Sequence, residues 1–337
     1  MGKYIYVTKS LYQCYGVKVI VDQVLRTVPD IKLSHKLDEI VQGSEVMPYG
    51  ILEAVAVLKR KDVIKGMAVL VDAYSLGEIS NFQKYYNKHY ISLSYRIKCF
   101  LRFLKFSYLE YVILRSYKKV MLVSYNDQRY YNQTFPYSRF KHKLVVIPNG
   151  VVLPEVSHRE PHKLQLGILR IGCLSPWNGM SFYTLQYFLN EIWAKLPSHE
   201  GLELIIAGKG LDEYRNKYIS QYPNVKIKGF VENLNDFYDN IDVSLITMVK
   251  KCGIINRVLD GFAYSVPVLC RHENVLAFKN IPDCYYLYND VSSFVQSIDN
   301  IKNNYQEAMN KAKLARDFVD KNHNWDKNYE YLKRIKI

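Results

Sequence analysis

The 337-residue chain has no Cys-x-x-Cys pair and no G-x-x-x-x-G-K-[ST] loop. It also has no apolar run near the roughly 20 residues needed to cross a bilayer. Its six cysteines (Cys14, Cys99, Cys173, Cys252, Cys270, Cys284) are scattered, which fits single thiols in a reducing compartment better than a disulfide frame or a zinc site. The missing phosphate loop sets aside the P-loop kinases and ATPases. The opening MGKYIYVTKS runs straight into strand-like sequence without a basic-then-apolar leader, and Tyr6 stands where a myristoylation signal wants Ser or Thr. His158 and His162 are four apart, but Pro161 separates them in a polar stretch, an arrangement unsuited to a metal. No repeat or low-complexity tract stands out. A soluble or peripheral cytoplasmic protein is expected.

What is present is an ordinary globular balance, 49% hydrophobic and 23% charged, at a length that suits two domains of about 150 residues each. The net charge of +14 is uneven. Between Asn81 and Lys143 stand 13 Lys or Arg, and the acids are Glu110 and Asp127 alone. Such a face attracts nucleic acid, anionic lipid or a polyphosphate substrate, and charge does not choose among them.

Strand and helix patterns alternate, which predicts an α/β fold of parallel sheets covered on both faces. Tyr4–Val7, Met67–Asp72, Val120–Ser124 and Leu144–Ile147 read as strands of the first half, with a helix over Val17–Arg26 and a long helical stretch from after Asp72 to about Lys119. The second half reads as strands Ile168–Cys173, Leu202–Ala207, Val225–Lys228, Asp242–Ile246 and Val266–Leu269, with helices Ser181–Lys195, Leu211–Ser220 and Arg257–Ala263 between them. Pro148-Asn149-Gly150 and the polar stretch from Pro154 to Lys163 mark a linker. The expected division is a first doubly wound domain over 1–150, a second over 151–320, and a terminal helix over 321–337 that returns to the first domain. Ligands of such folds bind at the carboxyl ends of the strands, so the chemistry belongs in the loops after Val7, Asp72, Ser124, Cys173, Ala207 and Ile246.

The segment Gly253–Leu269, GIINRVLDGFAYSVPVL, places a glycine before a short helix and Pro267 before a strand. Amides at a helix start, helped by the helix dipole, seat a phosphate. Asp260, two turns in, is suited to accept hydrogen bonds from a ribose hydroxyl. An ordinary capped surface helix carries the same pattern. Gly208-Lys209-Gly210 after a strand is a fragment of a dinucleotide fingerprint, but Glu213 replaces its third glycine.

Four further motifs precede that segment in order: VVIPNGV (Val145–Val151), IGCLSPWNGMSF (Ile171–Phe182), LIIAGKGL (Leu204–Leu211) and VKIKGFVENLNDFY (Val225–Tyr238). Together the five resemble the C-terminal domain of GT-B-fold glycosyltransferases, in particular glycosyltransferase family 4. The resemblance implies a GT-B fold, two Rossmann-like domains facing across a cleft. It also implies transfer of a sugar from a nucleotide diphosphate sugar to a saccharide or polyprenyl-diphosphate-linked acceptor, usually with retention and without a metal or other cofactor. Its cellular setting would be a bacterial surface polysaccharide such as O-antigen, lipopolysaccharide or capsule, at the inner face of the membrane.

Carried over residue by residue, the resemblance assigns donor binding to Gly16, Asn178, Lys209, Val231, Gly253, Ile254, Ile255 and Asp260. Arg257 meets the departing diphosphate, and Asp72 orients or deprotonates the acceptor hydroxyl, unless it only caps a helix. Lys250 and Lys251 either contact phosphate or lie in a solvated loop. Gly229-Phe230-Val231 reads the nucleotide base or merely ends a strand. The pattern also departs from the family. The first acid of its usual pair is Cys252 here, Asp260 stands for the second, and Ile255 occupies the place of its commonest glycine. The loop CLSPWNGM lacks the usual Arg and Lys, with Cys173 and Asn178 near those places. Many relatives carry a His near Asp72, and none stands between His35 and His89. The absence of Asp-x-Asp argues against a metal-dependent, single-domain glycosyltransferase. A catalytically silent protein of the same fold and a nucleic-acid-binding protein remain as alternatives, the second without support from the ordered motifs.

The stretch Ile91–Lys119 mixes aromatic and aliphatic residues with cations at helical spacing. It reads either as a helix packed on its sheet with cations in water, or as a surface that also rests on anionic lipid.

Overall fold

The computed structural model describes residues 2–83, 92–155, 167–325 and 327. The first half holds two three-stranded sheets. Strands β1 (Lys3–Tyr6), β2 (Ile31–Ser34) and β3 (Glu45–Pro48) lie in the order β2-β1-β3, and β4 (Met67–Leu70), β5 (Lys119–Leu122) and β6 (Leu144–Val146) in the order β4-β5-β6. Single bridges Glu45↔Ile64 and Tyr49↔Val69 bring β3 alongside β4. The second half forms one six-stranded sheet from β7 (Leu169–Leu174), β8 (Leu202–Ala207), β9 (Val225–Gly229), β10 (Val243–Leu245), β11 (Val268–Cys270) and β12 (Tyr286–Leu287), ordered β12-β11-β10-β7-β8-β9.

Among the described residues every strand pairing is parallel. Parallel neighbours need crossover connections, so helices cover both faces and central strands read as unbroken apolar runs. MAVL of β4 and VLC of β11 are buried at every position for that reason. Strand order reverses between β7 and β10 in the second sheet and between β1 and β3 in the first. A crevice opens at the carboxyl ends of strands at such reversals. These two places position the site.

Several elements differ from expectation. Strands β2 and β3 and the helix Ile51–Leu58 were not anticipated, because four-residue strands leave little alternation to read and β3 ends in a proline, Pro48. The single long helical stretch is described as two helices, Tyr74–Gln83 and Leu93–Ser116, the second started by the Ser92 hydroxyl accepting the Tyr95 amide at 3.2 Å. Ser124 likewise caps an unanticipated helix, Tyr125–Gln133.

The chain crosses back near its end. His323 carbonyl accepts the Val151 amide at 2.8 Å, and His323 Nδ1 bonds the Asn149 carbonyl at 2.8 Å. Trp325 then packs with Ile5, Val7, Met121 and Ile147 in the first half's core. Gly150 lets it in, since a Cβ there would lie 2.5 Å from the indole. Of the terminal helix expected over 321–337, residue 326 and residues 328–337 lie outside the described residues, as do 156–166 of the expected linker with His158 and His162.

Candidate active site

Two loops face each other across the crevice. From the first half comes the turn after β4, which delivers Asp72 and starts the helix Tyr74–Gln83. Two buried carboxylates hold that helix start. Asp127 accepts the Ala73 amide at 3.1 Å, and Glu110 accepts the Ser75 amide at 3.0 Å and the Ser75 hydroxyl. Negative groups suit a helix N-terminus, where amides point outward and the dipole is positive. Burial still dominates their ionisation. It pushes Glu110 up to about 7 against the bonds from Ser75. Burial and then the nearby Asp72 charge push Asp127 up to about 8, opposed by the Gly253 amide, Lys250 and the Ala73 amide.

From the second half comes the loop between β10 and the helix Asn256–Ala263. Tyr288 hydroxyl donates to the Ile246 carbonyl at 3.0 Å and Asn274 Nδ2 to the Met248 carbonyl at 2.9 Å, fixing the loop from behind. Its tip is tied to the first half. Lys250 Nζ reaches both Asp72 oxygens at 2.7 and 2.8 Å, Asn126 Nδ2 donates to the Lys251 carbonyl at 2.6 Å, and the Gly253 amide donates to both Asp127 oxygens at 3.0 Å. Burial works against the Lys250 charge, and Asp72 overcomes it, so the ammonium is held above its usual range.

Gly253 is required here on two counts. Its φ of +65° is left-handed, and a Cβ would overlap the Asp72 carboxylate. The helix itself opens three residues later, at Asn256 with Ile255 as N-cap, not at Gly253. The Gly253 amide is thus committed to Asp127. Ile254 and Ile255 are buried, at 8% and 9% exposure, and belong to the core cluster that holds Val258, Leu259 and Phe262.

The start of that helix meets the start of another. Asn256 Oδ1 accepts from Asn149 Nδ2 at 3.1 Å, and a Cβ on Gly16 would lie 3.5 Å from Asn256 Nδ2. Gly16 sits in the first turn of the helix Tyr15–Thr27, whose N-cap Cys14 makes no side-chain cap bond; nor does Ile255. Two helix N-termini without side-chain caps converge at one point, an arrangement that favours an anion. On that helix, Arg257 Nη1 contacts Asp260 Oδ2, one turn on, at 2.6 Å. Burial raises the Asp260 carboxyl, and Arg257 opposes the rise.

A third group forms at the ends of β7, β8 and β9. Trp177 is fully buried, its Nε1 donating to the Ala207 carbonyl at 2.8 Å and its amide to the Lys209 carbonyl at 2.7 Å. Gly208, with φ +131°, passes so close to the Ser175 backbone that no side chain fits. Asn178 is exposed at the start of the helix Gly179–Glu191, and Lys209 Nζ sits 4.8 Å above the Phe230 ring. Val231 packs with Tyr238 and Tyr264, stacked at 4.3 Å. Asp260 and Arg257 in turn act electrostatically on the Tyr238 hydroxyl.

The structure therefore gathers Asp72, Gly253 and Lys250 at one point, Gly16 and Asn256 at a second, and Asn178, Lys209 and Val231 at a third, with Arg257 and Asp260 on the helix that joins them. A cleft of about 350 Å³ opens between Asp72, Tyr74, Gly77, Met180, Met248 and Cys252. Cys252 is 5% exposed and its Sγ would lie 2.9 Å from a Cβ on Gly77, so it fills space where the resemblance would place an acid. Sequence reasoning missed Asp127, Asn126, Asn149 and Asn256. The S-x-x-D pattern at Ser124 was a capping signal, but it does not say that Asp127 reaches across the cleft. Among the described residues, no group of three or more His, Cys, Asp or Glu side chains is placed to hold a metal.

Two parallel doubly wound units with converging loops at their strand reversals define the GT-B class. Residues 168–304 match the family model described as glycosyl transferases group 1. The fold is shared with solved GT-B glycosyltransferases at low identity. HepE of Anabaena, solved with UDP-glucose, matches at a TM-score of 0.64 and 12% identity over 99% of each chain. A glycosyltransferase from Rickettsia africae matches at 0.62 and 16% identity, covering 99% of this chain and 97% of its own. A sucrose-phosphate synthase from Thermosynechococcus elongatus matches at 0.63 and 16%, covering 86% and 72%. No curated protein matches the chain in sequence.

Proposed function

We propose that the protein transfers a glycosyl group from a nucleotide diphosphate sugar to a saccharide or polyprenyl-diphosphate-linked acceptor. The observation that carries this reading is the meeting of the helix starts at Gly16 and Asn256, with Arg257 and Asp260 on the Asn256 helix; of these, Asn256, Arg257 and Asp260 lie inside the segment that matches glycosyl transferases group 1. In this reading the diphosphate lies against the amides around Ile255, and Lys250 and Arg257 neutralise the charge that develops as it leaves. Asp260 holds the ribose. The base lies along Gly229–Val231, near Lys209 and Asn178. Asp72 faces the acceptor; Lys250 holds its carboxylate until the donor phosphates draw the ammonium away. Retention at the anomeric carbon, independence of metals, and a place in bacterial surface polysaccharide assembly on the cytoplasmic side belong to the same proposal.

Two measurements test it. Thermal shift with UDP, GDP, ADP, dTDP and CMP finds the base, since a ligand that binds the folded state raises its apparent stability. Transfer of radiolabelled sugar from the matching donor then reads turnover. Asp260→Ala should weaken donor binding about tenfold, and Arg257→Ala should lower kcat about a hundredfold with little loss of stability. Because the two side chains contact each other, their effects should not add. Wild-type kinetics in both variants refutes the assignment of the site. Nucleotide binding with no transfer to any acceptor favours the silent alternative, which the buried Cys252 in place of an acid supports.

A further inference from the structure

The helix Leu93–Ser116 is apolar on two sides. Its inner side packs through Cys99, Glu110, Ile113 and Leu114, all fully buried. Its outer side carries a second stripe: Leu93, Ile97, Leu101, Leu104 and Tyr108 are 70, 50, 59, 50 and 68% exposed. The spacing of three or four residues puts them in one line, about 22 Å long at 1.5 Å per residue. Exposed apolar lines of this extent mark a surface that meets something.

Charge identifies the partner. From residue 92 to residue 143 the acids are Glu110 and Asp127, and both are 0% exposed. Every exposed charge between residues 92 and 143 is therefore positive. Lys98 and Lys105 flank the stripe on its own helix, and Arg139 and Lys141 stand exposed on the neighbouring turn Tyr137–Lys143, which packs on the helix through the Tyr137 hydroxyl donating to the Ser107 carbonyl at 3.2 Å. Phe135, 71% exposed, lies under the Arg139 guanidinium at 4.8 Å. An apolar line rimmed by cations and bare of acids matches the boundary between acyl chains and anionic headgroups. No described helix is long and apolar enough to cross a membrane, so the contact lies along the surface.

We propose that the outward face of helix Leu93–Ser116 docks the protein on an anionic lipid surface, with the Leu93–Tyr108 stripe entering the headgroup layer. The same helix packs on Tyr74–Gln83, and Arg102 of the first contacts Glu78 of the second at 2.7 Å. Glu78 lines the cleft beside Asp72. Docking thus sets the cleft one helix away from the bilayer, within reach of an acceptor held there. Lipid docking does not depend on glycosyl transfer, because vesicle binding is read without turnover.

The test is co-sedimentation of the full chain with phosphatidylcholine vesicles, with and without phosphatidylglycerol. Binding is expected only with phosphatidylglycerol and is expected to fall as salt rises. The double variant Leu101→Glu, Leu104→Glu should lower the bound fraction at least tenfold while leaving thermal stability and nucleotide binding unchanged. Lys98→Glu with Lys105→Glu should do the same, and Tyr214→Glu, an exposed aromatic elsewhere, should do nothing. Equal binding to neutral vesicles, or wild-type binding by both double variants, overturns the proposal. So does lipid-independent self-association in the ultracentrifuge that the leucine variant abolishes, since the stripe would then be an interface between copies of the chain. Binding of single-stranded RNA lost in the lysine variant, without vesicle binding, would likewise overturn it.

Discussion

Replacing Asp127 tests whether the cleft is held together across its two sides. The side chain is fully buried and accepts the Ala73 amide at 3.1 Å and the Gly253 amide at 3.0 Å to each oxygen. Asp127→Ala strands two buried N–H groups, each worth about 1–3 kcal/mol when left without a partner. Against that, it removes a carboxyl whose ionised form burial already disfavours. A net loss of about 3 kcal/mol is expected. Asp127→Asn keeps one acceptor oxygen within reach of both amides and should lose about 1 kcal/mol. The pH dependence separates charge from geometry. Asp127 has a folded pKa of about 8 against 3.8 for the free carboxyl, so the folded state binds the extra proton throughout that interval. Stability should therefore fall as pH rises from about 4 to 8, by up to about 1.4 kcal/mol per pH unit from this group. Asp127→Asn should flatten that slope. Urea unfolding followed by the fluorescence of Trp177, Trp193 and Trp325, repeated at several pH values, measures both. A change below about 0.5 kcal/mol in Asp127→Ala, or an unaltered slope in Asp127→Asn, refutes the reasoning.

Two further outcomes follow from single positions. Gly253→Ala should cost about 2 kcal/mol or more and lower donor affinity, because its φ of +65° and the Asp72 carboxylate leave no room for a methyl; wild-type unfolding would place the loop elsewhere. His323 is buried and its pKa is depressed from 6.5 to about 4, so its contribution is present above 6.5 and lost as pH falls towards 4, amounting to roughly 3 kcal/mol from the 2.5-unit gap. His323→Gln should remove that acid limb in pH-dependent thermal unfolding, and an unchanged limb would assign it to another group.

The fold class was legible and part of the first half was not, for one physical reason. Strands buried on both faces announce themselves as apolar runs, so β4, β5, β7, β8, β10 and β11 stood out, while the edge strand β9 showed itself by alternation, VKIKG. Short strands such as IKLS and EVMP carry too little pattern, and the second ends in a residue that rarely belongs there. The helix Leu93–Ser116 hid its meaning differently. Apolar residues lie on both its sides, and only burial separates the packed line from the exposed one.

The candidate site was legible only where its function is local. Arg257 and Asp260 are three residues apart on one helix, so a motif shows them together. Lys250 and Asp72 are separated by 178 positions, and Gly253 and Asp127 by 126. Sequence spacing has no access to such pairs. They change the reading of the loop itself. Its glycine amide, which the motif offered to a phosphate, is taken by a carboxylate of the other half, and its lysine is taken by the carboxylate assigned to the acceptor. In the proposed reading the seat for an anion therefore moves along the chain to the start of the Asn256 helix, beside Gly16. Lys250 is, in that proposed reading, the group through which the two sides of the cleft sense each other. An ammonium shared between Asp72 and an incoming diphosphate cannot serve both fully, so donor binding should loosen Asp72 for the acceptor. The proposed reading therefore predicts a sequential order with the donor first, and product-inhibition kinetics that show random or acceptor-first binding would refute it.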